Sequence, residues 1–71
     1  MDNLHSLMME AADALERGDT GRAKEFFTDI LSRDGNYFPA LYNLGLICCE
    51  EENTAEAEKY FMKALETRPD D

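Results

Sequence analysis

Residues 41–49 read LYNLGLICC, an apolar run with Gly45 at its centre. The run is typical of a buried helix, yet glycine destabilises a helix interior by roughly 1 kcal/mol relative to alanine. A glycine at such a position indicates that a second element approaches the helix closely. The residues on either side of the run predict which element this is.

Helical spacing of apolar residues predicts four helices and no strand. Gly18 ends the first helix, while Gly35 and Asn36 favour a left-handed cap after the second. Connections of about three residues inside each pair force neighbouring helices to run antiparallel. The predicted helices are about Leu4–Arg17, a second that opens at Asp19 or Thr20, about Phe38–Glu51, and a fourth after an Asn53–Thr54 cap.

The two halves of the chain repeat at an offset of 34 residues. Small and capping residues recur at this offset, because Ala11 matches Gly45 and Asp19 matches Asn53. Two copies of one helix hairpin are therefore predicted. The identical pairs are Leu7/Leu41, Glu16/Glu50, Thr20/Thr54, Ala23/Ala57, Phe27/Phe61 and Leu31/Leu65.

The stretches LYNLG (41–45) and EAEKYFMKALETRP (56–69) resemble the tetratricopeptide repeat. That signature of about 34 residues has Leu-Gly in its first helix, then a small residue, an aromatic, a second small residue and a closing proline. The first copy, about 4–37, is less typical than the second, about 38–71. The matching residues are Leu44, Gly45, Ala57, Phe61, Ala64 and Pro69, and the departures in the first copy are Glu10, Ile30 and Gly35.

This resemblance implies one all-α domain over residues 1–71. Its two antiparallel hairpins would stack as a short right-handed solenoid. The first helix of each hairpin would line a concave groove that binds a peptide or helix of a partner protein. Gly45 then has a role, since Phe61 of the second helix can fill the space beside it.

Both groove helices have a second semi-apolar face, one more than their own hairpin needs. We expect these faces to bind a partner, although packing between helices would equally explain them. In chaperone-tail-binding repeats an asparagine like Asn43 helps hold a carboxylate, but Met8 stands where the accompanying lysine is expected. The predicted groove residues are Met8, Ala12, Tyr42, Asn43, Leu46 and Cys49.

The chain holds sixteen acidic and seven basic residues, for a formal charge of −9. It has no basic stripe for nucleic acid or anionic lipid, and no apolar run near the ~18 residues of a membrane span. The predicted partner is therefore a basic or amphipathic protein segment. Adjacent Cys48 and Cys49 are too few for a disulfide framework, which favours a cytoplasmic setting.

No convergent catalytic site is predicted. His5 is the only histidine, and parallel first helices would separate it from Cys49 by about ten residues or 15 Å. That separation excludes a cysteine–histidine pair and a shared zinc site. The acidic run 50–52 is typical of solvated surface. We therefore predict a non-enzymatic protein without a cofactor or metal.

The ends of the stack predict an alternative function. Glu10 and Asp13 make the first end polar, whereas Leu65 corresponds to Leu31, which should pack on a following hairpin. An uncovered apolar patch tends to recruit a partner. The alternative is a self-assembling scaffold or a piece of a longer array. Its predicted contact, which would form a homodimer through the fourth helix, uses Met62 and Leu65.

Overall fold

Four helices make up the computed structural model, which describes residues 3–67. No strand occurs within that range, so the all-α prediction is confirmed. The third helix ends one residue before the predicted boundary, because Glu51 is its C-cap. The helices are α1 (Asn3–Glu16), α2 (Thr20–Arg33), α3 (Phe38–Glu50) and α4 (Thr54–Thr67).

The helices pack in chain order as two hairpins. α1 packs on α2 and α3 on α4, while α2 also packs on α3 and joins the hairpins. The turn inside each hairpin spans the three residues 17–19 or 51–53. Turns this short place the paired helices side by side and antiparallel.

The two hairpin turns are copies of each other in hydrogen bonding. The amide of Asp19 donates to the carbonyl of Ala14 at 2.8 Å, and that of Asn53 donates to Cys48 at 2.8 Å. Both bonds belong to a Schellman turn, whose residue after the helix adopts positive φ. That residue is Gly18 (φ 79°) in the first turn and Glu52 (φ 62°) in the second.

The connection between the hairpins differs from its prediction. Gly18 and Glu52 alone have positive φ within residues 3–67, so the left-handed cap expected at Gly35 or Asn36 is wrong. Asp34 ends α2 in an extended conformation. Its carboxylate accepts the amide of Asn36 at 3.1 Å, and this local turn redirects the chain without a left-handed residue.

One apolar cluster extends across both hairpins. It combines buried residues of α1 and α2 with Ala40, Leu44 and Ile47 of α3. Leu31 of α2 is partly buried and packs against this cluster. The contact between the hairpins is therefore apolar at its centre, and a Lys24–Glu51 ion pair of 2.9 Å lies at its edge.

Gly45 is buried where α3 crosses α4. The ring of Phe61 occupies the position of its missing side chain, so the predicted close contact is confirmed. Pro69, the last residue of the repeat pattern, lies outside the described residues. Within those residues, no helix has the length and hydrophobicity needed to cross a membrane.

Candidate protein-binding surface

A cavity of about 440 Å³ opens between the second half of α3 and the end of α1, where Gly18 of the first turn and Thr20 of α2 also line it. Its apolar floor includes Ile47, which is buried, and Leu15, which is partly buried. Asn43 and Leu46 are the predicted groove residues that line it. We call the region the α1–α3 surface and define it by Leu15, Asn43, Leu46, Ile47 and Glu50.

Leu46 is the most prominent apolar side chain of this surface. It is 41% exposed beside Ile47, which is only 2% exposed. An isobutyl group held between a buried floor and solvent can be covered further by a ligand. Covering it would release apolar area from water and stabilise a complex.

Tyr42 lies one helical turn before Leu46 and is held by two other aromatic rings. Its ring stacks on Phe38 at 5.9 Å with an interplanar angle of 14°. It also meets Phe61 of α4 at 5.9 Å and 54°. Tyr42 remains 45% exposed, so it presents a fixed aromatic face that loses little conformational entropy on binding.

The other predicted apolar groove residues differ in their surroundings. Met8 is partly buried and packs against the central cluster, so part of its surface stabilises the fold. Ala12 and Cys49 are exposed. None of the three lines the cavity.

The side chain of Asn43 is hydrogen-bonded to the backbone of its own helix. Its side-chain Nδ2 donates a 2.7 Å hydrogen bond to the carbonyl of Pro39, one turn earlier. The carboxamide is thereby oriented, and the oxygen remains as an acceptor at the cavity wall. An acceptor beside Glu50 suits a donor-rich or cationic ligand group better than a carboxylate.

Charge is segregated between the two layers of helices. α1 (Asn3–Glu16) and α3 (Phe38–Glu50) contain no lysine or arginine. Their acidic residues are Glu10, Asp13, Glu16 and Glu50, all exposed. The lysines and arginines of the described chain lie on α2, on α4 and in the first hairpin turn. The α1–α3 side is therefore the more negative one.

Sequence reasoning missed Leu15 and Glu50 as lining residues. Leu15 stands 34 residues before Cys49, which was predicted for the groove, so the repeat offset could have identified it. Glu50 is identical to Glu16 at the same offset. Its helical position next to Leu46 and Ile47 places its carboxylate at the cavity rim.

The titratable groups with perturbed pKa lie on the opposite side of α3. Burial raises the pKa of the Cys48 thiol, which keeps it protonated and weakly nucleophilic. A hydrogen bond from Lys24 to Glu51 raises the pKa of that lysine, and burial raises the pKa of Tyr60. In the described part of the chain, no three His, Cys, Asp or Glu residues are grouped to hold a metal ion.

A second exposed apolar patch lies on α4. Met62 is 62% exposed and Leu65 is 70% exposed. They are separated from the α1–α3 surface by the α3–α4 hairpin itself. Large exposed apolar side chains therefore lie on α4 as well as on α3, and Met9 of α1 is a further one at 61% exposure.

Comparison with known proteins identifies a repeat family. Residues 38–71 match the family model of the tetratricopeptide repeat. This segment begins at the first residue of α3 and includes all of α4. No curated protein and no solved structure matches the chain significantly.

Proposed function

Since the chain belongs to the tetratricopeptide repeat family through residues 38–71, a family of protein–protein interaction modules, we propose that it binds a basic, amphipathic segment of a partner protein. The proposed site is the α1–α3 surface. The observation that carries the proposal is the exposed Leu46, placed over an apolar floor and beside Glu50. A catalytic role is not part of this function.

The apolar contacts with the partner depend on Leu46, on the cavity that it lines, and on Tyr42, which lies outside the cavity one turn earlier on α3. An aliphatic side chain of the partner would enter the cavity and cover Leu15 and Leu46. Full burial of one leucine-sized group contributes about 1.5–3 kcal/mol. Tyr42, held by Phe38 and Phe61, would anchor the next turn of the ligand.

The electrostatic part of the proposed recognition depends on the absence of lysine and arginine from α1 and α3. A cationic ligand side chain that approaches Glu16 or Glu50 meets no lysine or arginine on either helix. Both carboxylates are exposed, so they would raise the association rate more than the final affinity.

Titration with synthetic amphipathic peptides, followed by NMR of the ¹⁵N-labelled chain, tests the proposal. A helical peptide of leucine and lysine should perturb the amides of Leu15, Asn43, Leu46 and Glu50. The matched peptide of leucine and glutamate should not, because the carboxylates of α1 and α3 repel it. Perturbations confined to α2 and α4, or equal for both peptides, would contradict the proposed site.

A variant pair separates the α1–α3 surface from the patch on α4. Leu46→Glu should abolish binding of the leucine–lysine peptide, because it removes the apolar anchor. Met62→Glu, a matched change at a more exposed residue, should leave binding unchanged. Loss of binding in both variants would place the contact elsewhere or make it unspecific.

The second proposal is self-assembly through α4. It is favoured by the exposure of Met62 and Leu65 on one helix, 62% and 70%, against 45% for Tyr42 and 41% for Leu46 on α3. A homodimer would cover both residues. Sedimentation over a range of concentrations tests this, with Leu65→Glu as the variant that should restore the monomer.

A further inference from the structure

α4 is equivalent to α2 at the 34-residue offset, and α2 packs on α3. The α2–α3 contact therefore indicates which kind of helix could pack on α4. From it we propose that the outer face of α4 docks a helix with two apolar residues spaced like Leu44 and Ile47, followed four residues later by lysine or arginine. This inference goes beyond the proposed function and is an alternative to self-assembly, because it assigns the patch on α4 to a partner helix and not to a second copy of the chain. It is independent of the α1–α3 surface.

The apolar requirement follows from Leu31 and Leu65, which are equivalent at the 34-residue offset. Leu31 packs against the cluster that contains Leu44 and Ile47 of α3. Leu65 has no such cover and is 70% exposed. A helix that covers Leu65 as α3 covers α2 must present apolar side chains at the positions of Leu44 and Ile47.

The need for a basic residue follows from the ion pair at the edge of the α2–α3 contact. Lys24 of α2 contacts Glu51 at 2.9 Å between Nζ and Oε1. The equivalent of Lys24 on α4 is Glu58, which is exposed. The charge on α4 is therefore reversed, and the docked helix needs a base where α3 is followed by Glu51.

A second copy of the chain meets only one of these requirements. At the same offset, α1 and its turn offer Glu10, Asp13 and Arg17 in place of Leu44, Ile47 and Glu51. Arg17 has the charge that Glu58 needs. Arg17 is paired with Asp13 at 3.1 Å, and both Asp13 and Glu10 would lose hydration against the apolar Leu65, which opposes head-to-tail stacking of the native chain.

Because α1 already has the required base and lacks only the two apolar residues, a variant of this chain can test the proposal. The variant Glu10→Leu/Asp13→Ile converts the second half of α1 into the predicted ligand, with Arg17 already in place. Both substituted residues are exposed, so the helix should be retained, as circular dichroism would check. Sedimentation velocity should then show association that grows with concentration, whereas the native chain should remain monomeric.

Two controls identify the surface. Leu65→Glu in the variant should abolish the association, because it removes the apolar contact on α4. Leu46→Glu should leave it unchanged, since that residue belongs to the α1–α3 surface. The second control also keeps failure of this inference distinct from failure of the proposed groove function.

A charge swap tests the predicted base. Arg17→Glu in the associating variant should weaken the association constant about two- to fivefold, the range of one exposed ion pair. Adding Glu58→Arg should restore it, because the pair is then re-formed with reversed signs. Recovery of this kind is not expected from unspecific apolar aggregation.

A peptide provides an independent measurement if the variant does not fold. The segment 36–52 with Glu51→Lys should perturb the NMR signal of Leu65 in the native chain more than the unaltered segment does.

Three results would each overturn the proposal. They are equal effects of the two peptides, association that survives Leu65→Glu, and self-association of the native chain through α4. The last result would make a second copy the occupant.

Discussion

The ring of Phe61 occupies the space beside Gly45 so closely that a side chain cannot be added there without movement. A β-carbon on Gly45 would lie 2.5 Å from Cε1 and 2.8 Å from Cζ of that ring. Real β-carbons essentially never come this close to another heavy atom. The glycine that weakens α3 as an isolated helix is therefore required by its packing on α4.

Gly45→Ala should destabilise the fold by about 1–2 kcal/mol, because overpacking exceeds the gain in helix propensity. The measurement is urea unfolding followed by circular dichroism. In a Phe61→Leu background the same alanine should cost less, since the ring no longer occupies the site. Equal costs in both backgrounds would show that the Gly45–Phe61 contact does not set the helix crossing.

Gly21 provides the matched control for that experiment. It is also a helical glycine, in the first turn of α2, but a β-carbon there meets no atom within 4 Å. Gly21→Ala should therefore leave stability unchanged or raise it by a few tenths of a kcal/mol. A loss similar to that of Gly45→Ala would point to a general intolerance of alanine and not to packing.

Glu52→Gly should stabilise the protein by about 0.5–1 kcal/mol. Glu52 has φ 62° at the turn position where the first hairpin has Gly18, and left-handed backbone costs a side-chain-bearing residue roughly 1–2 kcal/mol. Part of this gain is offset by the larger conformational entropy of glycine in the unfolded chain. The reverse change, Gly18→Ala, should destabilise; a higher thermal midpoint for it would contradict the turn assignment.

Stability should fall as the pH rises from about 9 to above 10.5. Burial raises the pKa of Cys48 above its ordinary 9.0 and that of Tyr60 above 10.0, while Glu51 raises the pKa of Lys24 above 10.5. The folded chain thus holds more protons than the unfolded chain in this window, so the free energy of unfolding decreases with pH. The Lys24 contribution is complete below 10.5 and lost as the pH passes its folded pKa.

Cys48→Ala separates the thiol from the other two groups. Alanine is the residue at the equivalent position of the first hairpin, Ala14, so the site should accept it. The decline in stability should then begin at higher pH than in the native chain. An unchanged profile would show that Cys48 does not titrate with unfolding.

The features predicted from sequence are those set by local periodicity and capping. Asp19, one of two candidate caps, accepts the amide of Arg22 at 3.2 Å, because capping depends on residues three apart. The Gly45–Phe61 contact was predictable because both residues belong to a repeated pattern. The cap at Gly35 was predicted wrongly, since an aspartate side chain gave the backbone an alternative turn.

Contacts between hairpins were harder to predict. The Lys24–Glu51 pair joins residues 27 apart in sequence, and no periodic pattern marks such a pair. The division of Met8 between core and surface depends on how closely α1 and α3 pack, which a helical wheel does not show. The site residues therefore remain proposals, while the helices that carry them are established.

The proposed recognition predicts a rate effect of charge on the α1–α3 side. Glu16→Lys/Glu50→Lys should slow association of the leucine–lysine peptide severalfold at low ionic strength, because both carboxylates are exposed and steer the encounter. The difference from the native chain should shrink as salt is raised, since the Debye length falls to about 8 Å at 0.15 M. Stopped-flow fluorescence with a labelled peptide gives the rates. The matched variant Glu58→Lys/Glu66→Lys changes net charge equally on α4, and it should slow association less; an equal effect would mean that overall charge, and not the α1–α3 surface, attracts the ligand.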